Sequence, residues 1–222
     1  MLRHELPGGY ALRLLEESDA DELFAVIDAN REHLGAWMPW VGSENKPEDV
    51  LPFIRATRKQ LADNNGLQTT IVDPDGRIVW MIGVHGIDWA NRKTSIGYWL
   101  ARDHQGRGIM TAAVRAYVDH AFGAWLLNRV TIEAAVGNAR SRAIPERLGF
   151  REEGMLRESE RVGDRMLDHV VYGMLVADWS SRAAGVAVHG DATDDERDAE
   201  RLDRRRQLRE HDDPDDGRRR GQ

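Results

Sequence analysis

The distribution of apolar and polar residues predicts a strand and two helices in the first third of the chain. Tyr10–Leu15 alternates apolar and polar positions, which is typical of a half-buried strand. Apolar residues at helical spacing then predict a helix that reaches about Asn30 and continues, in broken form, to Trp40. Pro47–Asn64 predicts a second helix, because proline is favoured in the first turn of a helix.

The middle and the end of the domain alternate between predicted strands and predicted helices. Asp73-Pro74-Asp75-Gly76 has turn residues at each position and separates two strands. Pro145 lies inside a predicted helix, where it removes a backbone hydrogen bond and is expected to kink the helix. The element order is therefore β-αα-βββ-α-β-α-ββ, a mixed α/β layer. The predicted strands are Leu67–Val72, Arg77–Asp88, Lys93–Leu100, Arg129–Ala135, Arg151–Glu160 and Met166–Leu175, and the predicted helices run from the region of Gly108 to about Gly123 and over Asn138–Leu148.

The pattern stops near Ser181, which divides the chain into a domain over residues 1–180 and a tail over residues 181–222. Asp191–Gln222 is dense in acids and arginines and has almost no apolar residue, so it cannot bury enough surface to fold on its own. Asp194–Glu210 carries opposite charges at helical spacing, which would suit a partly helical segment. We favour a solvated tail.

Composition excludes several classes of protein. Cysteine is absent, which excludes disulfides, thiolate metal sites and a catalytic cysteine. The net charge of −7 argues against nucleic acid as a partner. Apolar runs fall well short of the about 20 residues that span a bilayer, and the N-terminus has no signal-peptide core, so we expect no membrane partner and a cytoplasmic protein. The eight histidines show no metal-ligand spacing, and each is interpreted as structural or exposed.

A glycine-bearing loop between a strand and a helix is the strongest functional feature of the sequence. The segment Gln105-Gly106-Arg107-Gly108-Ile109-Met110-Thr111 follows the apolar run Ile96–Leu100 and precedes a predicted helix. Glycines allow close approach of the main chain to a ligand, and the first N–H groups of a helix bind anions. The loop lacks the lysine of a P-loop and the third glycine of a dinucleotide-binding fingerprint. We therefore expect it to bind a phosphate or pyrophosphate of another kind.

Two motifs in order resemble the GNAT superfamily of N-acetyltransferases. Gln105-x-x-Gly108-x-Met110 is similar to its acyl-CoA loop, Gln/Arg-x-x-Gly-x-Gly/Ala, although Met110 departs from the last position. Asn138-x-x-Ser141, followed by Leu148-Gly149-Phe150 and later Glu153-Gly154, resembles its second CoA-contacting motif. The runs Ile-Gly-Tyr-Trp-Leu and Gln-Gly-x-Gly-Ile-Met-Thr resemble the RimJ/RimL branch, which acetylates N-terminal amines of ribosomal proteins. The resemblance covers roughly residues 8–180.

The resemblance implies a fold, a cosubstrate and a reaction. The implied fold is the GNAT acyl-CoA N-acyltransferase fold, an α/β fold with a mixed, mostly antiparallel sheet of about seven strands and four flanking helices. Its fourth and fifth strands splay apart and admit acetyl-CoA. The implied reaction is direct attack of an amine on acetyl-CoA in a ternary complex, without a metal. The implied cofactor-binding residues are Tyr98, Trp99, Leu100, Gln105, Gly106, Arg107, Gly108, Ile109, Met110, Thr111, Asn138 and Ser141.

The same resemblance implies the catalytic residues. Many members use a tyrosine as the acid for the thiolate, but Pro145 occupies that position here. In the RimL-like branch a serine is the proposed acid and a glutamate the proposed base, and these map onto Ser141 and Glu160. Glu158 would share the face of Glu160 on a regular strand and could replace it. Asp168 and His169 are weaker candidates for contact with the substrate.

The acceptor is expected to be a protein N-terminus or a small amine. The cluster Trp37-Met38-Pro39-Trp40 is a candidate wall of the acceptor pocket. An antibiotic, a polyamine or an aminoacyl nucleotide is the alternative acceptor. A CoA-binding regulatory module that has lost catalysis is an alternative of another class, which Met110 and Pro145 favour and Ser141 and Glu160 oppose. Association into a homodimer stays open.

Overall fold

The computed structural model describes residues 3–42, 46–101 and 104–189, without the side chains of Leu100 and of residues 183–189. The chain divides into two compact units after Val176. The predicted helical segment Asp194–Glu210 and most of the predicted tail lie outside the described residues. The helix Val176–His189 was not among the predicted elements.

Eight strands form one mixed sheet in the order β1-β2-β3-β4-β5-β6-β8-β7. Seven were predicted, and the additional one is a three-residue strand that pairs with the next strand near the N-terminus. The second strand is also shorter than the predicted Tyr10–Leu15. The strands are β1 Arg3–Glu5, β2 Ala11–Arg13, β3 Gln68–Val72, β4 Ile78–Asp88, β5 Lys93–Leu100, β6 Arg129–Ala135, β7 Arg151–Val162 and β8 Arg165–Leu175.

The described part of the chain contains six α-helices, of which the last lies almost entirely in the second unit. The first predicted helix is broken, as expected, but residues 36–40 are not helical, since the second piece ends at Gly35 and Pro39 follows. A short 3-10 turn, Pro47–Val50, precedes the third helix. The helices are α1 Ala20–Ala29, α2 Arg31–Gly35, α3 Leu51–Ala62, α4 Ile109–Gly123, α5 Ala139–Leu148 and α6 Val176–His189.

The two faces of the sheet bury different helices. Met81 of β4 belongs to a buried cluster with Leu23 of α1 and Ile54 of α3. On β3, the Thr69 hydroxyl lies 2.8 Å from the Tyr117 hydroxyl of α4. Alternate residues of a strand point to opposite faces, so the central strands are covered on both sides and their apolar runs are nearly continuous. The core therefore holds the strands that border the functional site rigidly.

Strands β5 and β6 form the only parallel pair in the described sheet, and they pair over a short stretch. Lys93, Thr94 and Ser95 pair with β6, while β5 continues to Leu100 alongside β4 alone. From Ile96 onward, one edge of β5 therefore faces a gap rather than a neighbouring strand. This confirms the predicted splay of the central strands, which opens a cleft through the sheet.

Candidate active site

The loop before α4 offers an anion site built from backbone. Gly106 and Gly108 have φ angles of 79° and 74°, a left-handed conformation that favours glycine. Helix α4 begins at Ile109, no side chain caps it, and its first turn carries no acid. A Cβ placed on either glycine would meet nothing within 4 Å. The open space and the uncapped helix N-terminus fit a diphosphate group, which the first N–H groups of α4 would bind.

Arg107 and Met110 help to fix the shape of this loop. The Arg107 guanidinium donates a hydrogen bond of 3.1 Å to the Tyr10 hydroxyl. The Tyr10 ring stacks on Trp80 with a centroid distance of 5.8 Å, and this contact ties the loop to the core. Met110 is only 3% exposed. Its side chain therefore packs in the core, so the departure from Gly/Ala at this position does not fill the ligand side of the loop.

Gln105 and Thr111 connect the two ends of the loop to other elements. Gln105 Nε2 lies 3.0 Å from His33 Nε2 of α2, and the Gln105 side-chain oxygen accepts a hydrogen bond from Arg140 of α5. The Arg147 guanidinium of α5 donates to the Thr111 hydroxyl at 3.2 Å. The loop, α2 and α5 thus surround the same opening of the sheet.

Two cavities meet at the splayed strands. The larger has a volume of about 600 Å³ and the smaller about 320 Å³. Tyr98 and Trp99 of β5 and Asn138 and Ser141 at the start of α5 line both cavities. Gln105 lines the smaller one, on the side of the anion site. A ligand held at the loop can therefore reach the larger cavity through the gap between β5 and β6.

Aromatic side chains form one wall of the larger cavity. Trp37, Met38 and Trp40 line it and are half-buried, which distinguishes them from ordinary core residues. The Trp40 ring lies 6.1 Å from the Trp99 ring, centroid to centroid. A Cβ on Gly137 would lie 3.4 Å from the Trp37 ring, so the glycine leaves room for that indole. The predicted cluster thus lies beside the cleft, where Trp37 and Met38 also line the smaller cavity together with Gln105.

Ser141 is held by two hydrogen bonds of its backbone. Its N–H donates to the Asn138 side-chain oxygen at 3.1 Å, so Asn138 caps α5 and the Ser141 hydroxyl is not needed for that role. Its carbonyl oxygen accepts a 3.0 Å hydrogen bond from the Tyr98 hydroxyl. Pro145, four residues later, lacks the N–H that would have bonded to this carbonyl. Burial raises the pKa of Tyr98, so the phenol stays protonated and remains a donor.

Glu160 enters the larger cavity because β7 is irregular. Residues 157–159 bulge opposite Asp168, and Glu158 has a φ angle of 49°. The expectation that Glu158 shares the face of Glu160 is therefore wrong, since it assumed a regular strand. The Glu160 carboxylate lies 3.2 Å from His169 Nε2, and both residues line the cavity. Asp168 does not line this cavity. Its carboxylate accepts a 2.7 Å hydrogen bond from the backbone N–H of Glu158.

Two cavity residues were missed by the sequence analysis. His85 of β4 and Glu133 of β6 line the larger cavity together with Glu160. A Cβ on Gly97 would lie 2.0 Å from His85 Nε2, so the imidazole lies across β5 at the start of the splay. Burial lowers the pKa of His85, and the charges of Glu133 and Glu160 partly oppose this effect. His85 interrupts the apolar run of β4, and this was the signal that could have identified it, whereas Glu133 follows Arg129 and Thr131 at alternate positions of β6 and carried no such signal.

The described residues contain neither a metal-binding cluster nor a membrane-spanning helix. No group of three or more His, Asp or Glu side chains there could hold a metal ion. Within the same residues, no helix combines the length and the apolar character needed to cross a membrane. The chemical groups that meet at the cleft are thus a backbone anion site, an aromatic wall, a hydroxyl, two carboxylates and two imidazoles.

The chain is similar to several known acetyltransferases. The chain is 41% identical to "Putative ribosomal N-acetyltransferase YdaF" of Bacillus subtilis over 76% of its own length and 92% of that protein. It is 28% identical to RimJ of Mycobacterium smegmatis, solved in complex with CoA-disulfide (TM-score 0.72, covering 78% of this chain and 86% of that one). It is 27% identical to the microcin C7 self-immunity acetyltransferase MccE, solved with acetyl-CoA and AMP (TM-score 0.71, 77% and 97%).

The family assignment follows from a match to the family's sequence profile. Residues 10–151 match the profile described as an acetyltransferase (GNAT) domain. That range includes the anion loop, the splayed strands and Ser141. The predicted recognition and fold are thereby confirmed, with eight strands rather than seven. The chain belongs to the GNAT superfamily of N-acetyltransferases.

Proposed function

We propose that this enzyme moves an acetyl group from acetyl-CoA to the N-terminal amine of a protein, of the kind modified by ribosomal-protein acetyltransferases. The observation that carries the proposal is the larger cavity. It joins the splay between β5 and β6, and it holds Ser141, Glu160 and the aromatic wall within one volume of about 600 Å³. The relative YdaF carries a ribosomal N-acetyltransferase name, which favours this acceptor class. We expect the acceptor to be cytoplasmic.

The anion loop and the gap between the strands are the proposed binding path of acetyl-CoA. The N–H groups that follow Gly108 would hold its diphosphate, and Arg107 would add positive charge beside it. Tyr98 and Trp99 line the passage from the loop to the larger cavity. Acetyl-CoA supplies an activated thioester carbonyl. A backbone N–H on the free edge of β5, between Tyr98 and Leu100, would stabilise the negative charge that develops on the carbonyl oxygen.

The carboxylate of Glu160 is the proposed acceptor of the first amine proton. A protein N-terminal amine has a pKa of about 8, so much of it is protonated at neutral pH and cannot attack. Glu160 lies in the cavity with its carboxylate beside His169, where it can take the proton directly or through water. The hydroxyl of Ser141, at the junction of the two cavities, would donate a proton to the departing thiolate.

A small primary amine is the second candidate acceptor. MccE, solved with acetyl-CoA and AMP, is similar to this chain over most of its length. The wall formed by Trp37, Trp40 and Trp99 offers flat apolar surfaces on which an aromatic group of such an acceptor could lie. A regulatory module without catalysis is less favoured, because Met110 packs in the core and Tyr98 satisfies the carbonyl that Pro145 leaves unpaired.

A turnover screen distinguishes these candidates. Purified enzyme and acetyl-CoA are incubated with peptides beginning with Ser, Ala or Met, and separately with polyamines, aminoglycosides and an aminoacyl nucleotide. Release of free CoA is followed in each case. The proposal expects a peptide to have the highest kcat/KM. A preference for one of the small amines would replace it with the second candidate, and CoA binding without turnover of any acceptor would indicate the regulatory module.

A further inference from the structure

We propose that His85 is a second proton acceptor of the active site, which takes the proton that the acceptor nitrogen loses after it has bonded to the acetyl carbon. The inference rests on the proposed function, namely transfer to a primary amine in the larger cavity. His85 lines that cavity from β4, and Gly97 of β5 leaves the space that its ring occupies. The imidazole therefore lies next to the strand segment that borders the splay.

The reaction removes two protons from the acceptor nitrogen, at two different stages. An amine that enters as an ammonium ion has three protons on nitrogen, and the amide product keeps one. Two protons leave: the first before attack, and the second once the C–N bond has formed and the nitrogen is positively charged. When the C–S bond breaks, the Ser141 hydroxyl gives its proton to the sulfur and regains one of the two protons, and the other passes to solvent. Glu160 can hold one of the two at a time, and a second acceptor lets the second proton leave before Glu160 has passed the first to solvent.

The surroundings of His85 suit this role. Glu133 of β6, Glu160 of β7, His169 of β8 and Tyr98 of β5 line the same cavity and are the titratable groups that face it. His85 is open to the cavity, and the partial desolvation it meets there lowers its pKa below the ordinary value, so the neutral ring that can accept a proton is the main form near pH 7. The nearby Glu133 carboxylate would then stabilise the imidazolium that forms. A neutral His85 adds no positive charge to the cavity, where the Glu133 and Glu160 carboxylates favour a cationic amine.

The sign of the pH dependence follows from these charges. Below its pKa, His85 is already protonated and cannot accept, so kcat/KM falls as pH falls through that value. Removing the charge of Glu133 removes an effect that raises the pKa of His85. Glu133→Gln should therefore move this inflection to lower pH. The Glu133→Gln variant therefore tests the proposal without altering His85 itself.

The experiment measures kcat/KM for the best acceptor from pH 5 to 9 at saturating acetyl-CoA, for wild type, His85→Gln, Glu133→Gln and Glu160→Gln. The histidine C–H proton signals of the free enzyme are titrated in parallel, and the signal lost in His85→Gln identifies His85. His120→Gln is the matched control, because burial also lowers the pKa of His120 but this residue, on α4, lines neither cavity. Binding of acetyl-CoA by calorimetry verifies that each variant is folded.

Three results support the proposal. His85→Gln lowers kcat/KM by about 10²-fold, the low end for a lost proton acceptor. The low-pH inflection of the wild type coincides with the His85 titration and moves to lower pH in Glu133→Gln. His85→Gln with wild-type kcat/KM and an unchanged inflection, while Glu160→Gln is impaired, would overturn the proposal and leave the proposed function standing. If the wild type acetylates no amine, the role of His85 and the proposed function are both wrong. This outcome is distinguishable, because in the previous case the wild type is active.

Discussion

The Tyr98 hydroxyl donates a 3.0 Å hydrogen bond to the carbonyl oxygen of Ser141. The bond joins the free part of β5 to the first turn of α5, on opposite sides of the cleft. It also satisfies the carbonyl that Pro145 leaves without a helical partner. Tyr98 thus takes the place of the N–H that Pro145 lacks, and this contact fixes the first turn of α5 beside the splay.

Tyr98→Phe should therefore affect both stability and turnover. Without the hydroxyl, a partly buried carbonyl loses its partner, and the free energy of unfolding should fall by about 1–3 kcal/mol. The turn that carries Ser141 becomes less well fixed, so kcat should fall as well. Denaturant unfolding and steady-state kinetics measure the two effects.

Tyr117→Phe is the matched control for that variant. Its hydroxyl is also buried, with bonds to Thr69 and to the Ile82 carbonyl, but Tyr117 lines neither cavity. It should lose comparable stability and keep its kcat. Equal kcat values for Tyr98→Phe and wild type would show that the bond does not position Ser141 for the reaction.

Gly108→Val should weaken binding of acetyl-CoA. The valine side chain would occupy the open space at the N-terminus of α4 and keep a diphosphate away from the N–H groups. Calorimetry should show a strongly raised Kd.

Gly76→Val serves as the control for backbone strain. Gly76 has a φ angle of 83° and equally open surroundings, but it lies in the turn between β3 and β4. The Kd of Gly76→Val for acetyl-CoA should match that of the wild type. A Gly108→Val enzyme with unchanged affinity would show that the diphosphate binds elsewhere.

The sequence predicted the elements of the site better than the orientation of its side chains. The loop Gln105–Thr111, the helix after it and the strand before it are local patterns, and the structure confirms them. The short strand β1 was missed because three residues that are all exposed carry no burial pattern. Glu158 was misplaced because a bulge depends on pairing between strands, which periodicity along one strand does not reveal.

His85 illustrates the other limit of sequence reasoning. A single polar residue in an apolar strand predicts neither which cavity it faces nor which residues face it. Its position depends on Gly97, twelve residues later, and on Glu133 from a third strand. Such groups meet only through the tertiary fold. The sequence analysis therefore interpreted each histidine as structural or exposed.

Glu160→Gln should lower turnover by roughly 10²–10⁴-fold, as expected for loss of a general base. The deficit should shrink as pH rises, because more of the acceptor amine is then neutral before it binds. The measurement is kcat across pH at saturating acceptor.

Glu158→Gln makes the same change of charge two residues away, on the exposed bulge outside the cavity. It should behave like the wild type. If Glu160→Gln were fully active at mildly acidic pH with saturating acceptor, the first proton would be carried by water or by another group.

Trp37→Ala should raise the KM of the acceptor by about tenfold, equivalent to about 1.4 kcal/mol, and raise the KM of acetyl-CoA by a smaller factor, because the indole also lines the smaller cavity. The indole forms part of the cavity wall against Gly137, so its loss enlarges the acceptor site. Trp89→Ala is the control, since Trp89 is exposed and lines neither cavity. An unchanged acceptor KM would place Trp37 outside the acceptor site.

The most direct test of the central claim is to locate the acetyl group in the product by mass spectrometry. The substrate is a peptide with a free N-terminus and an internal lysine, and its twin carries a blocked N-terminus. The account predicts one acetyl group on the N-terminal nitrogen of the first peptide and none on the twin. Acetylation of the lysine in both peptides would contradict this account. So would a result in which neither peptide is acetylated while a small amine is turned over.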